Sequence, residues 1–331
     1  MKNNKKNYII LILTILLVLY FSLKDDMLGV FKTISKTNIL ILLIAVLLVL
    51  LALAFKSVSY MLFIKENYPD FSFKESYRLT LIGQFLNGIT PFQSGGQPFL
   101  IYMLKKDGKS ISHTTSSFFK EQLSYQISII SLSFICIILN FLFKLYCKKI
   151  TVILILIGFF INVIVLLLII FIMKCKNLSI KIISSLVSFI GKFKIFKKIK
   201  DKKDEIILSI NYFYDAVYNI KNHKINFFIS ILCNFINIIL IYLVPFFVIL
   251  SLGVKINIIY SIIAVSFVML IGNFVPIPGA SGGIEYSFVM LFGLFISKTL
   301  LTSSMLLWRF ITYGMLLIIG FIVFIKRGKK I

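Results

Sequence analysis

Polar residues in this chain mostly punctuate long apolar runs. Uninterrupted runs occupy 8–23, 38–64, 121–143, 150–173, 225–251 and 300–325. A helix needs about 20 mostly apolar residues to cross a bilayer, so the pattern predicts six spans, the first of them the shortest. Two further apolar regions, 79–103 and 257–297, are each broken by Gly and Pro. The first is too short for two crossings, and both are predicted to dip into the bilayer and return. The expected fold is all-α and polytopic: one membrane domain with six spans and two re-entrant hairpins in an inverted repeat. Its first half is 1–173, with re-entrant 79–103. A basic loop, 174–224, leads to a second half, 225–331, with re-entrant 257–297.

Composition narrows the class. The 331 residues are 59% hydrophobic and 15% charged, with a mean hydropathy of +1.00, whereas a soluble domain is about a quarter charged. That excludes a water-soluble globule, a disordered chain, a collagen and a secreted disulfide scaffold. The formal charge of +24 raises nucleic acid as a partner, until the basic residues are located. With both broken regions re-entrant, 26 of the 36 Lys and Arg fall on the N-terminal side and 8 on the other, and Lys56 and Arg309 lie within spans. Cytoplasmic loops carry such an excess. The charge therefore reads as topology, with both termini cytoplasmic and no direct nucleic-acid partner. The run from Tyr8 to Leu23 follows Lys2, Lys5 and Lys6 and is followed by Lys24, Asp25 and Asp26 rather than a small-x-small cleavage site. It reads as a retained first helix. Within 174–224, Ile182, Leu186, Phe189, Phe193 and Phe196 recur at helical spacing between lysines. This fits an interfacial helix on an anionic leaflet or an ordinary solvated linker helix. Cys136, Cys147, Cys175 and Cys233 form no C-x-x-C, and His113 and His223 are far apart. No metal site, disulfide framework or cofactor is expected.

The two interruptions share one pattern, P-x-x-S-G-G, at Pro91, Ser94, Gly95 and Gly96 and again at Pro278, Ser281, Gly282 and Gly283. Asn87 precedes the first and Asn273 the second, and Gln97 follows the first. Eight of the 17 glycines lie within 83–96 and 272–283, including the only two Gly-Gly pairs. Non-helical backbone survives at membrane depth only when packed in protein or lining a cavity. Pro and Gly can end one half-helix and begin another there. Half-helix N-termini then aim free N–H groups and positive dipole ends at the bilayer centre, where they favour anionic groups. Broken helices in corresponding positions of inverted halves point to a transporter's midplane site; alternatively the turns serve close helix packing.

Intramembrane charge adds to the candidate site. Glu285 opens a half-helix. Arg309 lies 26 residues beyond Gly283, and Glu121 lies 25 beyond Gly96, which extends the repeat. Glu285 and Arg309 are expected either to pair across a cavity and offer a lipid headgroup both signs of charge, or to form a structural ion pair, or Arg309 snorkels. Lys56 is expected to snorkel. Asn234 and Asn237 share a helix face and are expected to bond to another helix.

On these residues the chain resembles the membrane domain of the lysylphosphatidylglycerol synthases, a flippase-like family. The resemblance is carried by N-x-x-x-P-F-x-S-G-G-Q-P at Asn87–Pro98, Y-x-L-K-K-x-G at Tyr102–Gly108, P-x-P-G-A-S-G-G-x-E at Pro276–Glu285 and W-R-x-x-T-Y at Trp308–Tyr313. Some branches of that family have an acidic residue at Gln97 and a basic one at Leu100, so the first hairpin here is the less charged. The resemblance implies translocation of aminoacylated phosphatidylglycerol between leaflets of a bacterial cell membrane, with resistance to cationic antimicrobial peptides as its outcome. It also implies membrane lipids as partners, a separate synthase and association with further copies of the chain. Lysyl transfer from lysyl-tRNA, the family's enzymatic activity, needs a soluble domain. The longest loop, roughly fifty residues, sits near the lower size limit for one, so the chain is not expected to be an enzyme. A scaffold for an envelope lipid or polysaccharide synthase is the third reading. No nucleotide-binding motif is present, so transport is expected to be gradient-driven or passive.

Overall fold

The computed structural model describes residues 33–90, 93, 95–178, 181, 214, 224–272 and 277–328. The predicted span 8–23, the amphipathic stretch 182–196, and Pro91, Ser94, Asn273 and Pro276 lie outside the described residues. What is described is predominantly helical, with no strand among the described residues. Among the described residues, five helices are long and apolar enough to cross a membrane: α1 (Ile39–Lys65), α4 (Ile111–Phe143), α5 (Lys149–Lys174), α6 (Lys224–Ser251) and the continuous Lys298–Arg327. The last comprises α9 (Lys298–Arg309), a π-helical turn (Phe310–Gly314) and α10 (Met315–Gly328). The chain is an all-α polytopic membrane protein.

Local chemistry sets the helix starts. The Asn38 side chain caps α1 by accepting from Leu40 and Ile41 N–H. Ser72 and Glu75 form a reciprocal capping box that begins α2 (Phe73–Gly88), six residues ahead of the predicted apolar region. The first interruption separates α2 from α3 (Gly96–Lys106), and the second separates α7 (Ile258–Gly272) from α8 (Gly283–Phe292). In each case the two half-helices pack on one another.

α1 turns Ala45, Val49, Ala52, Lys56, Ser59 and Phe63 inward, while Leu40, Leu43, Leu47 and Leu51 face outward. Its inward face lies along α6 in the most extensive interface of the described residues, with α4 completing the seam. α4 begins ten residues before the predicted span. Ser112, Thr114, Ser116 and Ser117 are buried: such small side chains let helices approach closely, and Thr114 Oγ1 and Ser117 Oγ donate to the Ser110 and Phe63 carbonyls. Polar content alone had made 104–120 read as a loop. Lys120, counted there as cytoplasmic, is 2% exposed and pairs at 2.6 Å with Glu66, the residue that follows α1. At the far end α10 lies on α2, where a Cβ on Gly320 would meet the Leu81 carbonyl oxygen at 2.4 Å. An ion pair between Arg327 and Asp107 joins the ends of α10 and α3.

Candidate functional site at the broken helices

The second interruption is a tight turn built from its own backbone. Pro278–Ala280 form one 3₁₀ turn in which Gly279 has φ +65° and Ala280 φ +51°; Gly282 follows at φ +86°. Gly282 N–H donates to Glu285 Oε2 at 2.6 Å, half of a capping box, which holds the Glu285 side chain against the N-terminus of α8. The other carboxylate oxygen, Oε1, lies 2.7 Å from Arg309 Nε. Arg309 Nη2 donates to the Gly279 carbonyl at 3.0 Å and to Ser281 Oγ at 3.4 Å. One guanidinium thus reads both the backbone of the turn and the carboxylate that follows it. The Glu285 and Arg309 side chains are 15% and 12% exposed, so the pair is largely desolvated.

Arg309 ends α9 just where the helix widens into the π turn. That wider turn, a frequent device at functional sites, leaves the guanidinium 4.6 Å from the Tyr313 ring centroid, a cation–π contact. Tyr313 also joins the two interruptions. Its hydroxyl donates to the Gly88 carbonyl at the end of α2 at 3.0 Å. Its ring lies against Gly279, where a Cβ would sit 2.5 Å from it. Gly279 therefore requires glycine twice, for its positive φ and for the aromatic edge.

The first interruption is closed by side chains. Asn87 Oδ1 accepts from Gly96 N–H at 2.8 Å, and Thr90 Oγ1 accepts from Gly95 N–H at 2.9 Å while donating to the Leu86 carbonyl. The end of α2 thereby caps the start of α3. Gln97 Nε2 then donates to Gln122 Oε1 of α4 at 2.7 Å. Gln122 lies 26 residues beyond Gly96, the same offset as Arg309 beyond Gly283. The structural counterpart of the Glu285–Arg309 ion pair is therefore this neutral amide pair, with Gln122 rather than Glu121 as the partner of the repeat.

Of the predicted site residues, the structure brings Ser281, Gly282, Glu285 and Arg309 together, adding the Gly279 carbonyl, and places Asn87, Gly95, Gly96 and Gln97 at the neighbouring turn. Gly283 begins α8, and Pro278 begins the 3₁₀ turn. Arg309 does not snorkel. Glu121 belongs elsewhere, to Lys56 at 2.5 Å. Lys56 does not snorkel either: it is 9% exposed, inside the α1–α4–α6 seam, because a carboxylate of opposite sign faces it there. Asn234 and Asn237 do bond across helices, Asn237 to the Ala52 carbonyl and Asn234 to Ser59 and Ser124. Tyr313 is the end of the W-R-x-x-T-Y motif, though its tie to the first turn is not readable there, and Thr90 and Gln122 are not singled out by sequence. Of these, Gln122 was legible by extending the repeat one residue further.

These features define the class: a multi-pass membrane protein with an ion pair mounted on a break between half-helices. Residues 8–320 match the family described as the lysylphosphatidylglycerol synthase TM region, and the chain belongs to that family. It is also 24% identical, over 335 aligned positions and 98% of each chain, to the UPF0104 membrane protein PH1989 of Pyrococcus horikoshii.

Proposed function

We propose that the protein moves phosphatidylglycerol or its aminoacyl derivative between leaflets of a bacterial cell membrane, with Arg309 and Glu285 holding the headgroup. The observation that carries this reading is the largely desolvated Glu285–Arg309 pair mounted on a broken helix. A guanidinium fork suits a phosphate, and a carboxylate suits an ammonium. With no lipid bound, the two charges satisfy each other. A headgroup carrying both signs exchanges partner for partner, so neither charge is stranded at low dielectric. Tyr313 binds the second turn to the end of α2, so movement of one hairpin is felt by the other.

The test is exchange of fluorescent phosphatidylglycerol and lysylphosphatidylglycerol in proteoliposomes, followed by quenching of the outer leaflet. Glu285→Gln retains an oxygen to cap α8 but loses the charge. It is expected to slow the lysyl lipid about tenfold more than the unmodified one, since a charge-assisted hydrogen bond contributes about 1.5–3 kcal/mol. Equal rates for wild type and protein-free vesicles would overturn the reading, as would lysyl lipid formed from lysyl-tRNA by the protein alone.

The orientation belongs to the same proposal: 144–149 outside, 174–224 inside. Cys147 is exposed and Cys175 half-buried, and both are free thiols. In right-side-out vesicles a membrane-impermeant maleimide is expected to label Cys147 and spare Cys175, and in inside-out vesicles the reverse. The opposite pattern inverts the topology.

A further inference from the structure

A second set of buried charges plays no part in holding the headgroup. Lys56 of α1 and Glu121 of α4 pair at 2.5 Å, the Glu121 side chain fully buried and that of Lys56 11% exposed. Glu121 Oε1 holds the ammonium, while Oε2 is buried with no hydrogen-bond partner among the described residues. Ionisable groups inside a membrane protein are costly and mark pathways for ions and protons. A buried ion pair adds little net stability over apolar side chains of similar size. A carboxylate with one bare oxygen is a poor staple between helices. In a site closed to solvent, that oxygen is open to a proton and to nothing larger.

The ammonium does not depend on the carboxylate alone. Lys56 Nζ lies 4.1 Å from the Tyr125 ring centroid and 5.3 Å from that of Tyr60, with Asn234 Oδ1 at 3.4 Å. A desolvated cation gains about 2 kcal/mol from such a ring, so Lys56 keeps its charge supported when Glu121 is neutral. Asn234 Nδ2 donates to Ser59 and Ser124, and both hydroxyls meet Ser230 Oγ, forming a polar seam through α1, α4 and α6. Among the described residues, the charged and titratable groups facing Glu121 are Lys56 and Tyr60 from α1 and Tyr125 from its own helix. α6 contributes the non-titrating Asn234, and the adjacent Lys120 is engaged by Glu66.

The cluster touches the first hairpin as well. Gln122, next in sequence to Glu121, accepts the hydrogen bond from Gln97 at the start of α3, and the Tyr60 hydroxyl interacts with the Gln97 side chain. We infer that Glu121 is a proton-binding site through which a proton gradient drives lipid movement, with Lys56 as its built-in counter-cation. A hydronium ion gives a proton to a Glu121 carboxylate oxygen, one O–H bond breaking as the other forms and a water molecule being left, which takes the pair from zero net charge to +1. Lys56 then rests on the tyrosine faces and Asn234, and loss of the same proton restores the ion pair. Each change reaches Gln97 through Gln122 and Tyr60. The coupling, though not the proton site, rests on the transport reading above.

The experiment imposes a pH difference across proteoliposomes containing fluorescent phosphatidylglycerol. With one proton moved per lipid, each unit of pH difference sustains about a tenfold leaflet asymmetry, and its sign reverses with the gradient. In Glu121→Gln the ratio is expected to fall to about one, by the same equivalence. A pH-difference infrared spectrum of the detergent-solubilised protein reads the site independently. Wild type is expected to gain a protonated-carboxyl band on acidification that Glu121→Gln lacks. A wild type that equilibrates lipid with no response to the gradient overturns the coupling, as does Glu121→Gln with an undiminished response. A wild-type spectrum without the band, or a band unchanged in Glu121→Gln, overturns the proton site. A wild type that moves no lipid overturns the transport reading and the coupling with it, and the infrared band still decides the site.

Discussion

Arg309→Leu is expected to destabilise the protein by about 3–5 kcal/mol, because it leaves the Glu285 carboxylate largely buried and without its counter-charge. Gly282 N–H would remain its sole hydrogen-bond donor. The double variant Arg309→Leu/Glu285→Leu is expected to recover most of that loss, since no isolated charge is left behind. It does not recover all of it. The Gly279 carbonyl and Ser281 Oγ lose the donors that Arg309 supplied, a deficit of about 1–2 kcal/mol. Thermal melting in detergent, followed by size-exclusion chromatography, measures both. Lipid exchange separates structure from function: neither variant is expected to exceed protein-free vesicles, although the double variant is folded. A double variant as unstable as the single one would show that the charge term is not what the pair contributes. Wild-type exchange by the double variant would remove Arg309 and Glu285 from the headgroup site.

The long spans were legible because hydrocarbon imposes length and apolarity on any helix that crosses it, and nothing else in this sequence satisfies both. The two breaks were legible for a related reason: Gly, Pro, Ser and Asn clustered inside apolar regions have no role in a straight helix. Ion pairing was harder to read. Lys56 and Glu121 each stand out as charge within or beside a span, but their partnership is set by how α1 and α4 pack, 65 residues apart in sequence. The start of α4 was obscured because 111–120 is rich in Ser and Thr and ends on Lys120, and a polar residue buried against a neighbouring helix looks the same in sequence as one facing water. The neutral pair Gln97–Gln122 shows what the repeat preserves. The side chain just past each S-G-G turn meets the span that follows at a fixed offset, and only the second copy makes that contact with charge.

The first turn depends on Gly96 for a reason distinct from backbone conformation. A Cβ there would lie 2.4 Å from Asn87 Oδ1 and 2.9 Å from the Gly83 carbonyl oxygen. Neither atom can yield cheaply, since one belongs to the backbone of α2 and the other accepts the hydrogen bond from Gly96 itself. Gly96→Leu is therefore expected to push α3 off α2, strain the packing and strand the Gly96 N–H, at about 2–4 kcal/mol together. Asn87→Ala removes the clamp without the clash and is expected to cost only about 1 kcal/mol, as loss of a helix cap does. Melting in detergent should thus rank wild type above Asn87→Ala and Asn87→Ala above Gly96→Leu. Because Gln97 follows Gly96 directly, displacing α3 also breaks its bond to Gln122. Lipid exchange by Gly96→Leu is expected to drop to background at temperatures where the variant is still folded. A Gly96→Leu protein that melts with wild type would show that the half-helices do not pack this closely. One that is folded and exchanges lipid normally would confine the headgroup path to the second turn.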